Sequence, residues 1–490
     1  MEAKGGHFMV ATPPTEVHTF NLPIGDVKWC TVALSDVIKA GKRLEAAVFD
    51  IDGKHAREIV TSCKWEAVPL PTILEKAYYP GRFKRIYCNS HRGESFFLPS
   101  QMTDIYPKTD KYISKLTKCN ISQLRLQKGD VLLTRSGTIG NTTIVSRTLE
   151  NKVFSDDVIR ITPMDGLAGY VYAFLRSHTG NTILQTNNYG SVIKHIEPAH
   201  LAEIPIPIPP IMIKEKINDL ILHSFELRDR SNELLDTATA LLIKELKLPS
   251  IEEFAAAQFN NSAGINKYST KLSDLSGRLD SSYHIPIVNA IKSHLQKHAD
   301  KLTTVGDTKI TSAIILAGIF KRIYVEEGYG IPFLGGKEIT QLDPKTEKFL
   351  SRPHHLARYK KELRVSENMV LVTNRGSIGI TSFVPKHWDG WAVSQNVLKI
   401  IPASNEVAGY LFVFLQSDWG KLLIQRQTYG SVVDMIDNNK MANVEFPILR
   451  SKEVQAEINH LALEVNQLRY QAYLCEQEAM KALNEEVLFA

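Results

Sequence analysis

The chain has 490 residues, more than one hydrophobic core usually spans, so its length predicts at least two domains. A hydrophobic content of 43%, a charged content of 23% and a mean hydropathy of −0.14 speak against a largely disordered or membrane-embedded chain. The formal net charge of +5 permits a polyanionic partner but does not require one.

The cysteines and the N-terminal residues indicate a cytoplasmic protein. The five cysteines form no CxxC pair and lie far apart, which indicates reduced, packed thiols rather than a zinc ribbon or a disulfide framework. The N-terminal residues contain an early acid and no apolar h-region. The longest apolar run, near SAIILAGIF, has about half the length that a bilayer requires. We therefore expect neither export nor membrane insertion.

In chain order, the first half predicts several strands, an amphipathic helix and then a long polar helix. The runs VLLT, TTIVS and DDVIRITP have the composition of strands separated by turns. The segment GYVYAFLRSHTGNTILQ has the spacing of one amphipathic helix whose Tyr170, Phe174 and Leu175 face a sheet. Prolines in IPIPIPP then stop this module before the long helix begins. The module is predicted to be mixed α/β.

The second half of the chain repeats the first. FKRIY occurs at 83–87 and again at 320–324, and PKTD returns as PKTE with the same shift of 237 residues. TRSGTIG returns as TNRGSIG after 239 residues, while AGYVYAFLRSHTG and YGSVIKHI return as AGYLFVFLQSDWG and YGSVVDMI after 240. A weaker pair, LSD from Leu34 and from Leu272, precedes them. The slow drift predicts a duplicated module with small loop insertions.

Each copy ends in a helical pattern with apolar or small residues at alternating steps of four and three. This is the a/d seam of a coiled coil over about four heptads, in helices roughly 50 Å long. The seam positions are Ile213, Ile217, Leu220, Ser224, Leu227, Ser231, Leu234, Ala238 and Leu241 in the first tail, and Val454, Ile458, Leu461, Val465, Leu468, Ala472, Cys475, Ala479 and Ala482 in the second. The shared register favours two tails packed on each other with one module at each end. The alternative is that each helix is buried separately against its own module.

The FKRIY runs combine basic and aromatic residues, which is typical of surfaces that hold a phosphate backbone and touch bases. In a strand, Lys84 and Ile86 would share one face, and Arg85 and Tyr87 the other. The alternative is a solvated edge strand with a packed tyrosine. The candidate DNA-binding residues here are Lys84, Arg85, Tyr87, Arg92, Lys321, Arg322 and Tyr324.

Two glycine-framed turns supply further candidates. Arg135 and Arg375 lie beside Gly137 and Gly376, and a glycine lets the backbone approach another molecule closely. A phosphate or groove contact and a merely structural hairpin turn are both open here. With the neighbouring hydroxyl groups, the candidates are Arg135, Ser136, Arg375 and Ser377.

The YGS loops place a ring, a permissive glycine and a hydroxyl together in both copies. Either the tyrosine packs internally or the loop contacts DNA. Lys194 follows the first loop and Asp434 stands in its place in the second, so the two loops would not read identical targets. The candidates are Tyr189, Ser191, Lys194, Tyr429 and Ser431.

The sequence lacks the common signatures of catalysis. It has no N/D-P-P-Y/F motif for adenine methylation and no glycine fingerprint after a strand, HExxH or GxSxG. GIPFLGGKE has the wrong spacing for a phosphate loop. The pair His354-His355 has no second cluster of metal ligands nearby, so a surface or packed pair is favoured over a metal site. These observations argue against an enzyme.

The duplicated set of GDVLLTRSGTIG, GYVYAFLRSHTG, YGSVIKHI, IPIPIPP and a long helix resembles the DNA specificity subunit of type I restriction-modification systems, over nearly the whole chain. The resemblance implies two target recognition domains, hereafter readers, separated by a pair of long antiparallel coiled-coil helices with pseudo-twofold symmetry. It also implies two modification (methyltransferase) subunits, which supply S-adenosylmethionine and the catalytic site, and a motor nuclease (restriction) subunit that can join them in phage defence. The long lead before Leu34 departs from the family pattern and leaves the start of the first reader open.

The resemblance divides the chain into five segments. They are the first reader at 1–209, the first long helix at 210–247, a linker at 248–271, the second reader at 272–450 and the second long helix at 451–490. We expect a non-catalytic subunit, without a cofactor or metal of its own, that recognises a bipartite asymmetric site in double-stranded DNA and directs its partners to it. The alternatives are a two-module protein-interaction scaffold and a nuclease or methylase with concealed motifs.

Overall fold

The computed structural model describes the chain at 31–39, 49–186, 195–258, 268–275, 277–345, 348–430 and 433–490. The helices in these ranges are α1 (Leu34–Lys39), α2 (Ile51–Ser62), α3 (Ile121–Leu124), α4 (Ala168–Arg176), α5 (His178–Thr186), α6 (Ile211–Leu246), α7 (Ile251–Gln258), α8 (Pro286–His298), α9 (Arg352–Arg358), α10 (Asn405–Gln416), α11 (Asp418–Arg426), α12 (Asn438–Ala442) and α13 (Lys452–Leu483). The strands of the first copy are β1 (Ala67–Pro69), β2 (Leu74–Tyr78), β3 (Tyr87–Cys88), β4 (Gly93–Phe97), β5 (Tyr112–Ser114), β6 (Val131–Thr134), β7 (Thr142–Ile144), β8 (Val153–Phe154), β9 (Val158–Pro163) and β10 (Pro205–Pro207). Those of the second copy are β11 (Lys301–Thr304), β12 (Thr311–Ile315), β13 (Tyr324–Val325), β14 (Gly330–Leu334), β15 (Phe349–Ser351), β16 (Val370–Thr373), β17 (Thr381–Phe383), β18 (Ala392–Val393), β19 (Val397–Pro402) and β20 (Glu445–Ile448).

The two copies have the same sheet topology. The first contains sheets of order β2-β9-β6-β7, β3-β5-β4-β8 and β1-β10, and the second contains β12-β19-β16-β17, β13-β15-β14-β18 and β11-β20. Strand β4 pairs parallel with β8, as β14 does with β18, whereas the long strand pairs are antiparallel. Two copies of one mixed α/β module, as the repeat predicts, are confirmed.

The long helices α6 and α13 pack on each other in antiparallel orientation. Lys216 near the start of α6 bonds Glu486 just beyond the end of α13, while Glu245 near the end of α6 accepts from the amide of Ser451 at the start of α13. Every predicted seam position is buried or half-buried. The antiparallel coiled coil is therefore confirmed, and separate burial of the two helices is excluded.

A polar seam residue forms a bond between the long helices. Ser224 is fully buried, and its hydroxyl donates to the Ala472 carbonyl at 2.7 Å. The serine thus satisfies its own hydrogen-bonding group inside the coiled coil. This explains why a hydroxyl is tolerated where the heptad pattern expects an apolar side chain.

The AGY run of each copy is a site of close helix packing. A Cβ atom on Gly169 of α4 would lie 2.5 Å from the Asn218 carbonyl oxygen of α6, and one on Gly409 of α10 would lie 2.4 Å from the Asn459 carbonyl oxygen of α13. The two asparagine side chains also accept from the glycine amides, both at 2.8 Å. Glycine is required because only its bare backbone permits this approach.

Each reader's core is completed by the long helix of the other half. Ala479, Leu483 and Val487 lie in the core of the first reader, and Ala238 and Leu242 lie in the core of the second. The described part of the chain contains no helix that is long and apolar enough to cross a membrane.

Two sequence predictions differ from the structure. The single helix predicted around Tyr170 is two helices, because Ser177 adopts an extended conformation between α4 and α5. The LSD runs are not equivalent elements, since the first lies in α1 and the second in a single 3-10 turn, Leu272–Asp274. The segment expected to be a linker, 248–271, contains α7, whose Phe254 packs edge-on against His294 of α8.

Candidate nucleic-acid interface

The FKRIY segments are mostly irregular, not the strands that the sequence predicted. Only Tyr87 and Cys88 pair with β5, because β5 ends at Ser114, whose amide already bonds the Ile86 carbonyl at 2.8 Å. Lys84, Ile86 and Tyr87 are all exposed, so the predicted alternation of faces is wrong. The two-residue strand Tyr87–Cys88 therefore anchors one end of a loop on which the charged side chain of Lys84 is exposed.

The second copy repeats this anchor. The Ser351 amide donates to the Ile323 carbonyl at 2.9 Å, and the Ile323 amide donates to His355 Nε2 at 3.0 Å. Burial lowers the pKa of His355, which keeps the ring neutral and able to accept this bond. His355 is thus a packed histidine, and its neighbours Lys321 and Tyr324 are exposed.

Arg85 and Arg322 occupy equivalent positions but have different partners. Arg85 Nη2 lies 2.7 Å from Asp156 Oδ1, whereas Arg322 Nη2 donates to the neutral Gln395 Oε1 at 2.6 Å. Burial opposes the charge of Arg85, but the hydrogen bond and negative charge of Asp156 outweigh it and raise its pKa. In the first reader, Asp156 therefore balances the charge of Arg85, whereas in the second reader the neutral Gln395 does not balance the charge of Arg322.

The arginines of the two glycine-framed turns, Arg135 and Arg375, differ in solvent exposure. Arg135 is 4% exposed, pairs with Glu197 and Asp157, and stacks its guanidinium 4.3 Å from the Tyr79 ring centre. Arg375, one position later in the repeat, is exposed. Successive residues of an extended segment point to opposite sides, so the offset moves the charge from the interior to the surface.

The burial of Arg135 favours a structural role in the hairpin turn over a phosphate or groove contact. A phosphate would have to displace two carboxylates to reach it. The turns themselves are open, since Gly137 and Gly376 have φ angles of +75° and +68°, and a Cβ added to either residue would meet no atom within 4 Å. Ser377 is exposed and Ser136 is half-buried.

The first copy brings two of the predicted basic groups to one acidic corner. Asp157 lies 3.8 Å from Arg85 and 3.5 Å from Arg135, so the FKRIY segment and the turn are neighbours. In the second copy, Asn396 occupies this corner, and its carbonyl accepts from the Asn374 amide at 3.1 Å. The two readers therefore share a backbone but differ in the charge of the same surface.

The remaining candidates are only partly described. Tyr429 is 38% exposed, and its amide and carbonyl both bond Met435. Burial and the nearby Asp437 raise its pKa. Arg92 is exposed at the start of β4. Four predicted residues lie outside the described ranges: Tyr189, Ser191, Lys194 and Ser431.

Sequence reasoning missed two exposed cations of the first reader. Arg82 and Lys118 line one groove together with Phe83. Lys118 lies outside every repeated motif, and only a search for basic residues near the FKRIY run could have suggested Arg82. In the described ranges, no group of three His, Cys, Asp or Glu side chains is placed to hold a metal ion.

Comparisons with known proteins place this duplicated fold in a family. The family model described as type I restriction modification DNA specificity domain matches 89–236 and 318–461, which together exceed half of the chain. A search of curated proteins finds no match.

Three solved structures resemble the chain at low identity. A type I restriction-modification S subunit from M. genitalium is 13% identical, with 87% of this chain and 96% of that chain covered and a TM-score of 0.29. An HsdS subunit from Thermoanaerobacter tengcongensis is also 13% identical, with 86% of this chain and 95% of that chain covered and a TM-score of 0.27. A structure concerned with complex assembly and conformational transition of the type I R-M system is 15% identical, with 86% of this chain and 96% of that chain covered and a TM-score of 0.26. The double family match does not favour a protein-interaction scaffold, and it shows that the chain belongs to the type I restriction-modification DNA specificity family and is a DNA sequence-specificity subunit.

Proposed function

We propose that the two readers recognise the two halves of a bipartite, asymmetric DNA site. The observation that carries this proposal is that two readers of identical topology differ in charge at the same corner, with Asp156 and Asp157 in one and Gln395 and Asn396 in the other. Two readers that share a fold but differ in surface charge are expected to bind different DNA half-sites. The antiparallel helix pair supports an inverted arrangement of the readers. Helices of about 50 Å correspond to about one and a half turns of duplex, at 34 to 36 Å per turn.

We further propose that the chain catalyses no reaction and directs partner methyltransferase subunits to this site. Two such subunits would bind, because the pseudo-twofold helix pair offers two similar faces. S-adenosylmethionine and the catalytic residues would come from these partners, and a motor nuclease subunit could join the complex. The absence of a methylase motif in the sequence supports this division of labour.

Genome-wide mapping of modified adenines tests the proposal. Cells with the chain and its methyltransferase partner should carry modified adenines in one split sequence, and cells without the chain should not. Exchanging one reader for that of a relative should change one half of the split sequence only. Methylation by the purified chain alone would contradict the non-catalytic role, and a change limited to bound proteins would favour an interaction scaffold.

The exposed candidates are proposed as DNA contacts, with Arg375 the sharpest case. Replacing Arg375 by alanine should weaken DNA binding by the complex and reduce the slope of log affinity against log salt by about 1, since one phosphate contact is lost. Lys54→Ala, which removes an exposed lysine on α2, is the matched control and should leave the slope unchanged. Equal slopes for Arg375→Ala and the control would remove Arg375 from the interface.

A further inference from the structure

The two loops that carry the repeated PKT run contact each other. We define the clasp as 104–108 of the first reader together with 340–345 of the second. Asp104 and Gln341 are equivalent positions of the repeat, and they form an antiparallel bridge with each other. The Ile105 amide donates to the Thr340 carbonyl at 2.9 Å, and the Thr340 hydroxyl donates to Asp104. The contact therefore joins the two readers directly.

The lysine of each PKT run reaches across to the other half. Lys108 Nζ donates to the carbonyl of Gln416, the last residue of α10, at 3.3 Å, and Lys345 Nζ donates to the carbonyl of Arg176, the last residue of α4. The final carbonyls of a helix lack partners within the helix and carry partial negative charge, so an ammonium group is a favourable cap. The two bonds are equivalent under the pseudo-twofold relation.

Each clasp loop is also fixed to the long helix of its own half. The Tyr106 hydroxyl donates to Asp236 of α6, and Gln477 of α13 donates to Asp343 Oδ2 at 3.2 Å. Arg176 adds a second crossing contact, since its Nη2 donates to the Asp343 carbonyl at 2.8 Å. Each loop thus contacts its own helix, the opposite loop and the end of a helix in the opposite reader.

We propose that the clasp, together with the coiled coil, sets the separation and relative orientation of the readers, and hence the spacer length that the complex accepts. This inference rests on the proposed bipartite recognition. Without the clasp, the readers would be held together mainly through the packed helix pair, so their relative orientation would be less tightly fixed. One base pair changes the distance between half-sites by about 3.4 Å, so a small pivot would suffice to accept a different spacer. The clasp residues are positioning residues and need not touch DNA.

The first test measures the distance between readers without DNA. Spin labels at the equivalent exposed positions Lys128 and Glu367 report this distance in the full chain. The double variant Lys108→Ala/Lys345→Ala should broaden the distance distribution, and Lys108→Arg/Lys345→Arg, which retains the donors, should restore it. A control variant, Lys115→Ala/Lys361→Ala, removes one exposed lysine from each reader outside the clasp and should leave the distribution narrow.

The second test measures spacer selectivity. The complex with its methyltransferase partner is given DNA that carries its own half-sites with the spacer shortened or lengthened by one base pair. The alanine double variant should methylate these substrates roughly tenfold better relative to the natural spacer, with unchanged half-sites, since two hydrogen bonds between the halves are lost. An unchanged distance distribution and unchanged selectivity would overturn the inference. If the wild-type complex methylates no split site, the proposed function fails, and the distance measurement still decides whether the clasp holds the readers.

Discussion

Glu476 forms a buried ionic contact between the two halves of the chain. It lies on α13, is 1% exposed, and accepts hydrogen bonds from Arg176 Nε at 2.5 Å, Tyr172 at 2.9 Å and Arg228 of α6. Burial alone would raise its pKa, but the two arginines outweigh this and lower the pKa to about 2. One carboxylate therefore balances cations from two elements of the first half.

Replacing Glu476 by leucine should destabilise the protein by about 4 kcal/mol. Removing one member of a buried ion pair costs about 3 to 5 kcal/mol, because the remaining charge is left without compensation. Arg176 keeps Asp343 at 3.2 Å, so Arg228 becomes the uncompensated cation. The variant Glu476→Leu/Arg228→Leu removes both charges and should recover most of the loss. The pseudo-equivalent of Glu476 in α6 is Leu235, which is itself buried, so the repeat already carries leucine at this position of the helix pair.

The assay is urea denaturation of the full chain, followed by tryptophan fluorescence. The slope grows with the surface exposed on unfolding, so in a chain of this size it should exceed the roughly 1 to 3 kcal/mol per M of small proteins, and the single variant should lower the midpoint by about 0.5 to 1 M. The double variant should lie near the wild type. A midpoint shift below about 0.3 M for Glu476→Leu, or a double variant less stable than the single one, would refute this account of the network.

Two further predictions follow from packing and titration. Gly409→Ala should destabilise the protein by about 2 to 3 kcal/mol because its new Cβ would collide with the Asn459 backbone. The control Gly81→Ala should have little effect, since a Cβ at Gly81 would meet no atom within 4 Å. Equal melting temperatures of the two variants would contradict the close approach of α10 to α13. His387 donates Nε2–H to the Leu342 carbonyl at 2.8 Å, and burial lowers the pKa of this ring from 6.5 to about 4. The stabilising contribution of the neutral ring is therefore complete above about pH 6.5 and is lost as the pH falls towards 4. The stability difference between wild type and His387→Gln, measured by urea denaturation, should therefore shift by about 2 kcal/mol against the wild type between about pH 7 and about pH 5, and a pH-independent difference would show that the ring is not held neutral.

The sequence predicts the parts of this molecule that depend on period and repetition. The duplicated module and the register of the two long helices follow from spacing alone, because a heptad seam and a conserved order of motifs are local patterns. The close approach at Gly169 and Gly409 explains the repeated AGY run, although the pattern itself gives no sign of what the glycines contact.

The charge environment of the candidate site could not be predicted in the same way. Arg135 and Arg375 lie one position apart in the repeat, and only the structure shows that one faces two carboxylates and the other faces solvent. Glu197, which pairs with Arg135, is distant in sequence and is brought next to it by the fold. The partners of Glu476 are equally non-local, and nothing in the heptad pattern distinguishes its position from that of Leu235.

The exchange of core residues between the two halves also bears on how the chain can fold during synthesis. The first reader packs around Ala479, Leu483 and Val487, which leave the ribosome only after the entire second reader has been made. At about 5 to 20 residues per second, the roughly 300 residues between Leu175 and Val487 take about 15 to 60 s to translate. During that interval the apolar pocket that receives this last helix has no cover, so the first reader is an obvious client for chaperones until translation ends.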